Sequence, residues 1–354
     1  MPLFDIDPDI RRAWSLPGEA YTSASLFAQV RDRVMARAWH FVADVARDAR
    51  PGRVTPCTLL EGCLDEPLVM TRDAAGALHC LSNVCTHRGA IVVREVGEAQ
   101  GLRCPYHGRR FGLDGRFVSM PELEGVQGFP SASDDLPRVP SARLDRFLFV
   151  SVDPAMPFDD VSAPVRGMLP RLAVPLDRMV LSPERSRDYD FDASWALYCD
   201  NYLEGFHVPF VHGGLAAAID YGSYRTELHR WGTLQIAEAK PGQDAFDGTR
   251  VAGLYYFLFP TTMLNFYPWG LSINVVQPLA VDRTRVSFLT YVSDAARLDK
   301  GAGADLHRVE LEDEAVVQAV QRGVRSRLYA RGRYSPTRET GVHHFHRMLV
   351  ELLG

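Results

Sequence analysis

The chain has 354 residues, which is enough for two or three domains with sizeable cores. An apolar share of 46% and a charged share of 23% are typical of a folded globular protein, and a net charge of −5 argues against a general nucleic-acid-binding protein. The first residues lack a basic segment followed by an apolar run, and no apolar stretch is long enough to span a bilayer. We therefore expect a cytoplasmic protein without a membrane partner.

The residue pattern of the first half of the chain changes near residue 39. Residues 1–38 predict a helical segment, because Thr22–Ser25 offers an N-cap before an apolar stripe with helical spacing. From Phe41 to about Asp153, short apolar runs alternate with Gly, Pro and Asp, the pattern of a small all-β domain. A proline-rich passage over 154–174 predicts an interdomain connection.

The second half mixes predicted strands and helices. Residues 255–260, 272–276 and 285–292 are rich in β-branched and aromatic side chains, which favours an antiparallel sheet. Trp195–Val211 predicts a helix that Pro209 distorts. Further helices are predicted over 306–328 and 341–353, the latter carrying three histidines that we interpret as surface or packing residues: His343, His344 and His346.

The chain contains six cysteines, and two of them lie in short loops that each carry one Cys and one His. Without a signal peptide, reduced thiols or metal ligands are favoured over disulfides. The two loops read Cys85-Thr86-His87 and Cys104-Pro105-Tyr106-His107. A Cys₂His₂ set fits a structural zinc ion or a Rieske [2Fe–2S] cluster. Because each loop gives one residue of each type, each loop can reach both irons of a binuclear cluster, and we favour the cluster over zinc.

A second group of polar residues lies between Asp200 and His212. It contains Asn201, Glu204, His207 and His212. Non-haem Fe(II) sites use two His and one carboxylate on one face of the metal. Residues five apart on an ideal helix point about 140° apart, so a distorted turn is needed for the two imidazoles to converge. Two packed helix histidines are the alternative interpretation.

Together these motifs resemble the Rieske non-haem iron oxygenases, catalytic α subunit, and in particular the branch of choline and carnitine monooxygenases. Respiratory Rieske proteins carry an extra Cys in each loop, where this chain has Ala90 and Tyr106. The resemblance implies an α+β chain in which an N-terminal all-β Rieske domain (39–155) precedes a helix-grip (START-like) antiparallel-sheet catalytic domain (156–354). Residues 1–38 are then expected to pack on the catalytic domain.

The resemblance also implies roles for particular residues. The four cluster ligands are Cys85, His87, Cys104 and His107. The iron ligands are His207, His212 and a downstream carboxylate, for which Asp313 fits best and Glu312 and Glu314 are rivals. The expected catalytic residues are Glu204 and Asn201. Glu204 is the expected bridge to a Rieske histidine of the neighbouring subunit, and Asn201 precedes it in the same motif.

The expected cofactors are one [2Fe–2S] cluster and one mononuclear Fe(II) per chain. No dinucleotide-binding Gly-rich fingerprint is present, so NAD(P)H and flavin are expected only on a separate flavin reductase, which delivers electrons with or without a ferredoxin. The family resemblance implies a homo-oligomeric ring, usually a trimer, because head-to-tail packing brings the two kinds of site together across the subunit boundary.

The substrate is expected to be a small organic molecule. Aromatic residues are dense between 255 and 269, and they suit a pocket wall, an aromatic cage for a quaternary ammonium, or a sheet core. The resemblance favours monooxygenation of a quaternary ammonium compound followed by C–N cleavage. Aromatic ring hydroxylation and O- or N-demethylation are the alternatives within the family. A Rieske electron carrier without oxygenase activity and a two-zinc structural protein are the alternatives outside it.

Overall fold

The computed structural model describes residues 4–172 and 174–354. The chain divides into two compact units. Phe41–Pro154 forms one unit, and the residues up to His40 together with Ala155–Gly354 form the other. In the part of the chain that is described, no helix is both long enough and apolar enough to cross a bilayer.

The first unit is built from short antiparallel strands. They are β1 (His40–Asp44), β2 (Arg53–Leu59), β3 (Glu66–Arg72), β4 (Leu78–Ser82), β5 (Gly97–Glu98), β6 (Leu102–Arg103), β7 (Arg110–Phe111), β8 (Phe117–Ser119), β9 (Ser141–Leu144) and β10 (Phe147–Val150). They pair in the orders β1-β10-β9, β4-β3-β2-β5 and β6-β7-β8. Between the second and third sheets lies a core that includes Val69, Leu81 and Phe111 and both loop cysteines, Cys85 and Cys104.

The second unit is organised around one eight-stranded antiparallel sheet. Its strands are β11 (Val180–Leu181), β12 (Arg187–Phe191), β13 (Arg225–His229), β14 (Gly232–Glu238), β15 (Val251–Leu258), β16 (Thr262–Tyr267), β17 (Gly270–Ala280) and β18 (Arg283–Val292). The order is β11-β18-β17-β16-β15-β14-β13, with β12 also pairing with β18. Strands β14 to β17 are buried along most of their length, so both faces of the sheet centre are covered.

Helices flank this sheet. They are α1 (Ala24–Arg33), α2 (Phe158–Met168), α3 (Trp195–Tyr202), α4 (Val208–Val211), α5 (Gly213–Ala218), α6 (Leu306–Gly323) and α7 (Thr340–Leu353). Helix α3 packs against α6, α7 and strand β17, and α1 packs against α7. The expected combination of an all-β N-terminal domain and an antiparallel-sheet catalytic domain is confirmed.

The proline-rich passage, predicted as an interdomain connection, contains α2, which buries Phe158, Val161 and Val165 and accommodates Pro164 within its length. One helix prediction was wrong. Trp195–Val211 is not one helix distorted at Pro209. Helix α3 ends at Tyr202, and Pro209 lies in the first turn of α4, where its missing N–H costs nothing.

Candidate metal centres

The two Cys-His loops of the first unit have matching backbone geometry. The Cys85 N–H donates to the carbonyl of Ala90 (2.8 Å), and the Gly89 N–H donates back to the carbonyl of Cys85 (3.0 Å). The second loop repeats both bonds: Cys104 to Arg109 (2.8 Å) and Gly108 to Cys104 (3.1 Å). Each loop closes through a glycine with positive φ, +70° at Gly89 and +74° at Gly108. The loops therefore present their side chains as a matched pair.

The predicted ligands of these loops form two like pairs, because the Cys85 and Cys104 side chains interact and the two imidazoles face each other. Both thiols are buried, whereas His107 is exposed and His87 is partly buried. The Nδ1 atoms of the two imidazoles are 3.2 Å apart. Burial and the neighbouring Cys104 raise the pKa of the Cys85 thiol, so a bound cation is needed to favour the thiolate here. Buried thiols beneath surface imidazoles fit a cluster with one thiolate-held and one imidazole-held iron.

In the second unit, the predicted iron ligands come from three elements. His207 is the N-cap residue of α4, His212 lies between α4 and α5, and Asp313 is in the middle of α6. The loop before His207 is shaped by Glu204, whose carboxylate accepts hydrogen bonds from the backbone N–H groups of Phe206 and His207. This local capping ends α3 early and turns His207 back toward His212.

The three side chains converge on one point. The Nε2 atoms of His207 and His212 are 3.1 Å apart. Oδ1 of Asp313 lies 3.0 Å from Nε2 of His212 and 3.5 Å from Nε2 of His207. Two imidazole nitrogens and one carboxylate oxygen facing each other match the donor set of a non-haem Fe(II) site.

Carboxylates hold the other nitrogen of each imidazole. Oε1 of Glu204 lies 2.6 Å from Nδ1 of His207, and Oε2 of Glu312 lies 2.8 Å from Nδ1 of His212. An Nδ1–H that donates to a carboxylate leaves the Nε2 lone pair available for a metal. Burial alone would lower the pKa of His212, but the hydrogen bonds to Asp313 and Glu312 raise it.

The carboxylates of α6 have three different environments. Asp313 faces both imidazoles and accepts a hydrogen bond from Nδ2 of Asn201 (2.6 Å), whereas Glu312 bonds Nδ1 of His212 and the side chain of Arg308. Glu314 makes no hydrogen bond to either histidine in the described part of the chain, and its Oε1 is buried without a partner. The geometry thus favours Asp313 over both rivals, and it gives Glu312 an orienting position that the sequence did not indicate.

A cavity of about 100 Å³ adjoins the three converging side chains. This is small compared with pockets of about 300–1,000 Å³ that hold drug-sized ligands. Of the aromatic residues between 255 and 269, Tyr255 and Tyr267 line the cavity, and the others are sheet core. The remaining aromatic lining was missed, because it is spread over α3, the residue before β13, and β18: Tyr198, Tyr202, Tyr224 and Phe288.

The histidines of α7 are packing residues, as predicted. The ring of His343 bonds the carbonyl of Asp7 (2.8 Å), and that of His344 bonds the carbonyl of His229 (2.6 Å). His346 is buried and bonds Asp200 (2.9 Å) and Tyr334 (2.6 Å). None of the three joins His207 and His212.

Comparison with known proteins identifies both domains. Residues 39–130 match the Rieske [2Fe-2S] domain family, and residues 179–354 match the catalytic domain of the ring-hydroxylating alpha subunit family. Choline monooxygenase of Arabidopsis thaliana is 30% identical over 367 residues, covering 98% of this chain and 84% of the relative. The carnitine monooxygenase oxygenase subunit of Escherichia coli K12 is 28% identical over 362 residues, covering 97% and 94%.

Solved structures share the fold. The quaternary ammonium Rieske monooxygenase CntA in complex with L-carnitine superposes with a TM-score of 0.80 at 23% identity, over 99% of this chain and 98% of that chain. Naphthalene 1,2-dioxygenase with bound indole gives a TM-score of 0.73 at 17% identity, over 96% and 92%. At these identities the likeness establishes the fold alone.

A Rieske domain followed by this catalytic domain defines a class of oxidoreductases, the oxygenase components that use O₂ and reductase-supplied electrons to hydroxylate small organic molecules. The chain belongs to the Rieske-type ring-hydroxylating oxygenase alpha-subunit family, and choline monooxygenase and carnitine monooxygenase are among its homologues. The predicted family, fold and enzyme class are confirmed. The Rieske domain implies a [2Fe–2S] cluster, and the family generally uses mononuclear iron.

Proposed function

We propose that this protein monooxygenates a small quaternary ammonium compound. The observation that carries the proposal is a small cavity, lined by Tyr198, Tyr202, Tyr224, Tyr255 and Tyr267, that adjoins the His207–His212–Asp313 group. Aromatic faces attract a quaternary ammonium through the ring quadrupole, and such a cation needs no hydrogen-bond acceptor. The relatives named for choline and carnitine support the same substrate class.

In this reaction one oxygen atom of O₂ enters a C–H bond. The other leaves as water, using two reductase-supplied electrons and two protons. Where the hydroxylated carbon is bonded to nitrogen, the carbinol loses its hydroxyl proton and the C–N bond breaks. The electron pair departs with the tertiary amine, and a carbonyl compound remains.

Within this proposal, His207, His212 and Asp313 hold Fe(II), and Cys85, His87, Cys104 and His107 hold the [2Fe–2S] cluster, within a cluster domain of residues 39–155. When bound, the iron supplies O₂ activation and the cluster supplies electrons. Residues 156–354 form the catalytic domain, on which residues 1–38 pack.

The remaining residues of the site position these ligands. Glu204 and Glu312 hold the Nδ1 protons of the two imidazoles, and Asn201 holds the Asp313 carboxylate through Oδ1. These contacts fix the ligand rings before a metal arrives. The tyrosines orient the substrate and exclude water from the cavity.

Electrons come from a separate flavin reductase that carries the flavin and oxidises NAD(P)H, with or without a ferredoxin. We further propose a head-to-tail homotrimer in which Glu204 connects His207 to a Rieske histidine of the neighbouring subunit. Phe206 and Phe210, which are 42% and 80% exposed beside this loop, suit a subunit contact. Inter-subunit electron transfer is described for a solved quaternary ammonium Rieske monooxygenase with a TM-score of 0.80.

The test combines metal analysis with ligand binding. Protein purified anaerobically should contain about three irons per chain and give a Rieske-type EPR signal after dithionite reduction. Two irons with that signal would favour the electron carrier, and zinc without iron would overturn the assignment. Calorimetric titration with betaines, choline and aromatic acids should detect binding of the ammonium compounds and no binding of the aromatic acids. Binding of aromatic acids alone would replace the proposed substrate class with the aromatic alternative.

A further inference from the structure

Glu310 is a buried acid in the wall of the candidate active-site cavity. It lies on α6, three residues before Asp313, and is 2% exposed. Its Oε2 accepts a hydrogen bond from the hydroxyl of Tyr198 (2.8 Å). Its Oε1 is buried and has no hydrogen-bond partner in the described part of the chain.

An unpaired buried carboxylate oxygen is costly, so its position calls for a physical reason. A glutamate on an amphipathic helix is stable on the solvent face, yet this one faces the cavity. Burial raises the pKa of Glu310 well above its ordinary value, and the charge of Asp313 adds to the effect. Burial therefore favours the protonated acid, and a cation placed beside it would favour the carboxylate.

The other charged groups of the cavity wall already have partners within the site. Asp313, His207 and His212 face each other, and Glu204 is bonded to His207. No Lys or Arg is found among the described residues that line the cavity. Among the described lining residues, Glu310 is thus the acid without a charged partner, and no Lys or Arg side chain of the wall faces a substrate carboxylate.

We propose that Glu310 is the anionic partner of the substrate's ammonium group, and that the cavity therefore selects a net-positive quaternary ammonium over a zwitterion. This inference rests on the proposed function and narrows it. The cation lies between the Glu310 carboxylate and the tyrosine faces, and a neutral polar arm faces the amides that also line the cavity, such as Asn265 and Asn274. A substrate carboxylate would be buried among acids without a cationic partner.

Three ligands distinguish the effect of ligand charge on binding from the effect of ligand shape. Choline is a net cation, glycine betaine is a zwitterion, and 3,3-dimethylbutan-1-ol has nearly the shape of choline without its charge. Dissociation constants are measured anaerobically on the metal-loaded full chain, so that no turnover interferes. The wild-type protein should bind choline at least about tenfold more tightly than either other ligand, a difference of about 1.4 kcal/mol in binding free energy.

The Glu310→Gln variant should weaken choline binding about tenfold and leave the neutral alcohol within about twofold. Glu314→Gln is the matched control, because Glu314 lies on the same helix, also has a buried unpartnered oxygen and does not line the cavity. It should leave all three constants unchanged. Iron content and the cluster EPR signal verify that both variants are folded.

Several outcomes would overturn the inference. An equal loss of choline and alcohol binding in Glu310→Gln would indicate a structural role, and unchanged choline binding would exclude a charge interaction. Tighter binding of betaine or of the alcohol than of choline by the wild-type protein would refute it without any variant. In those cases the ammonium substrate class survives, whereas failure of the wild-type protein to bind any ammonium compound would end the proposed function as well.

Discussion

Asp313 touches both imidazoles through the same oxygen, whereas its neighbour Glu312 contacts one imidazole, at the far nitrogen of His212. We therefore expect Asp313→Ala to lose the mononuclear iron and keep the cluster, so that iron falls from about three to about two per chain with the Rieske EPR signal retained. Glu312→Gln should keep the iron and bind it roughly 10- to 100-fold more weakly. Metal analysis under a chelator gradient checks both, and full iron retention in Asp313→Ala would refute the ligand assignment.

Sequence reasoning works well for some of these residues and poorly for others. Cys85, His87, Cys104 and His107 could be grouped because metal ligands come from a few residue types at short spacing. Glu310 gave no signal, because an acid on an amphipathic helix is normally solvated. Its burial depends on Tyr198, which is 112 positions away and is brought close only by the packing of α3 on α6.

At the scale of elements, the two Rieske loops depend on glycines with positive φ. Gly108→Ala places an L side chain in the left-handed region, which costs about 1–2 kcal/mol, although nothing lies closer to the new Cβ than Arg103 at 3.6 Å. We expect the visible band of the cluster to bleach at a lower temperature in Gly108→Ala than in the wild-type protein. Gly97→Ala is the control, because Gly97 has no positive φ and no heavy atom within 4 Å of the added Cβ. Equal bleaching temperatures for both variants would mean that the loop tolerates the strain.

The element between α3 and α4 explains why helix prediction failed there. Apolar spacing continues from Trp195 to Val211, so periodicity alone predicts one helix. The carboxylate of Glu204 instead captures the N–H groups of Phe206 and His207, and these bonds replace helical ones. The Glu204 side chain thus stabilises the loop that follows α3, and this loop lets His207 and His212 meet.

At the scale of the whole molecule, a buried neutral histidine makes stability depend on pH. His40 is 1% exposed; one ring nitrogen bonds the carbonyl of Met35 (2.7 Å) and the other bonds the hydroxyl of Thr261 (2.9 Å). Burial lowers its pKa from 6.5 to about 4. Between these values the unfolded chain binds more protons than the folded one, so stability falls as the pH drops from 6.5 to 4, by about 3 kcal/mol for this group.

The measurement is the free energy of unfolding of the wild-type protein and of His40→Gln, by denaturant titration at several pH values. The variant should be less stable at pH 7, because it loses fitted hydrogen bonds, but the gap should narrow as the pH falls toward 4. Comparison between the two proteins removes the shared contribution of all other titrating groups. A gap that is constant with pH would mean that His40 is not buried in its neutral form.

The proposed ring predicts complementation between two inactive chains. Cys104→Ser lacks the cluster but keeps the mononuclear site, and Asp313→Ala has the reverse defect. If electrons cross from one subunit to the next, a mixed ring contains boundaries where an intact cluster faces an intact iron site. With random mixing at equal amounts, each boundary is competent with probability one half times one half, so co-expressed chains should show roughly a quarter of wild-type turnover.

Each variant assembled alone should be inactive, which sets the baseline for that experiment. Adding Glu204→Gln to the Cys104→Ser chain should abolish the recovered activity while both metals stay bound. The reason is that the proposed bridge, Glu204, belongs to the chain whose mononuclear iron accepts the electron. Mass spectrometry of the assembled rings establishes that mixed species are present. If mixed rings form and remain inactive, electrons travel within one chain, and neither electron transfer across the subunit boundary nor the bridging role of Glu204 can stand.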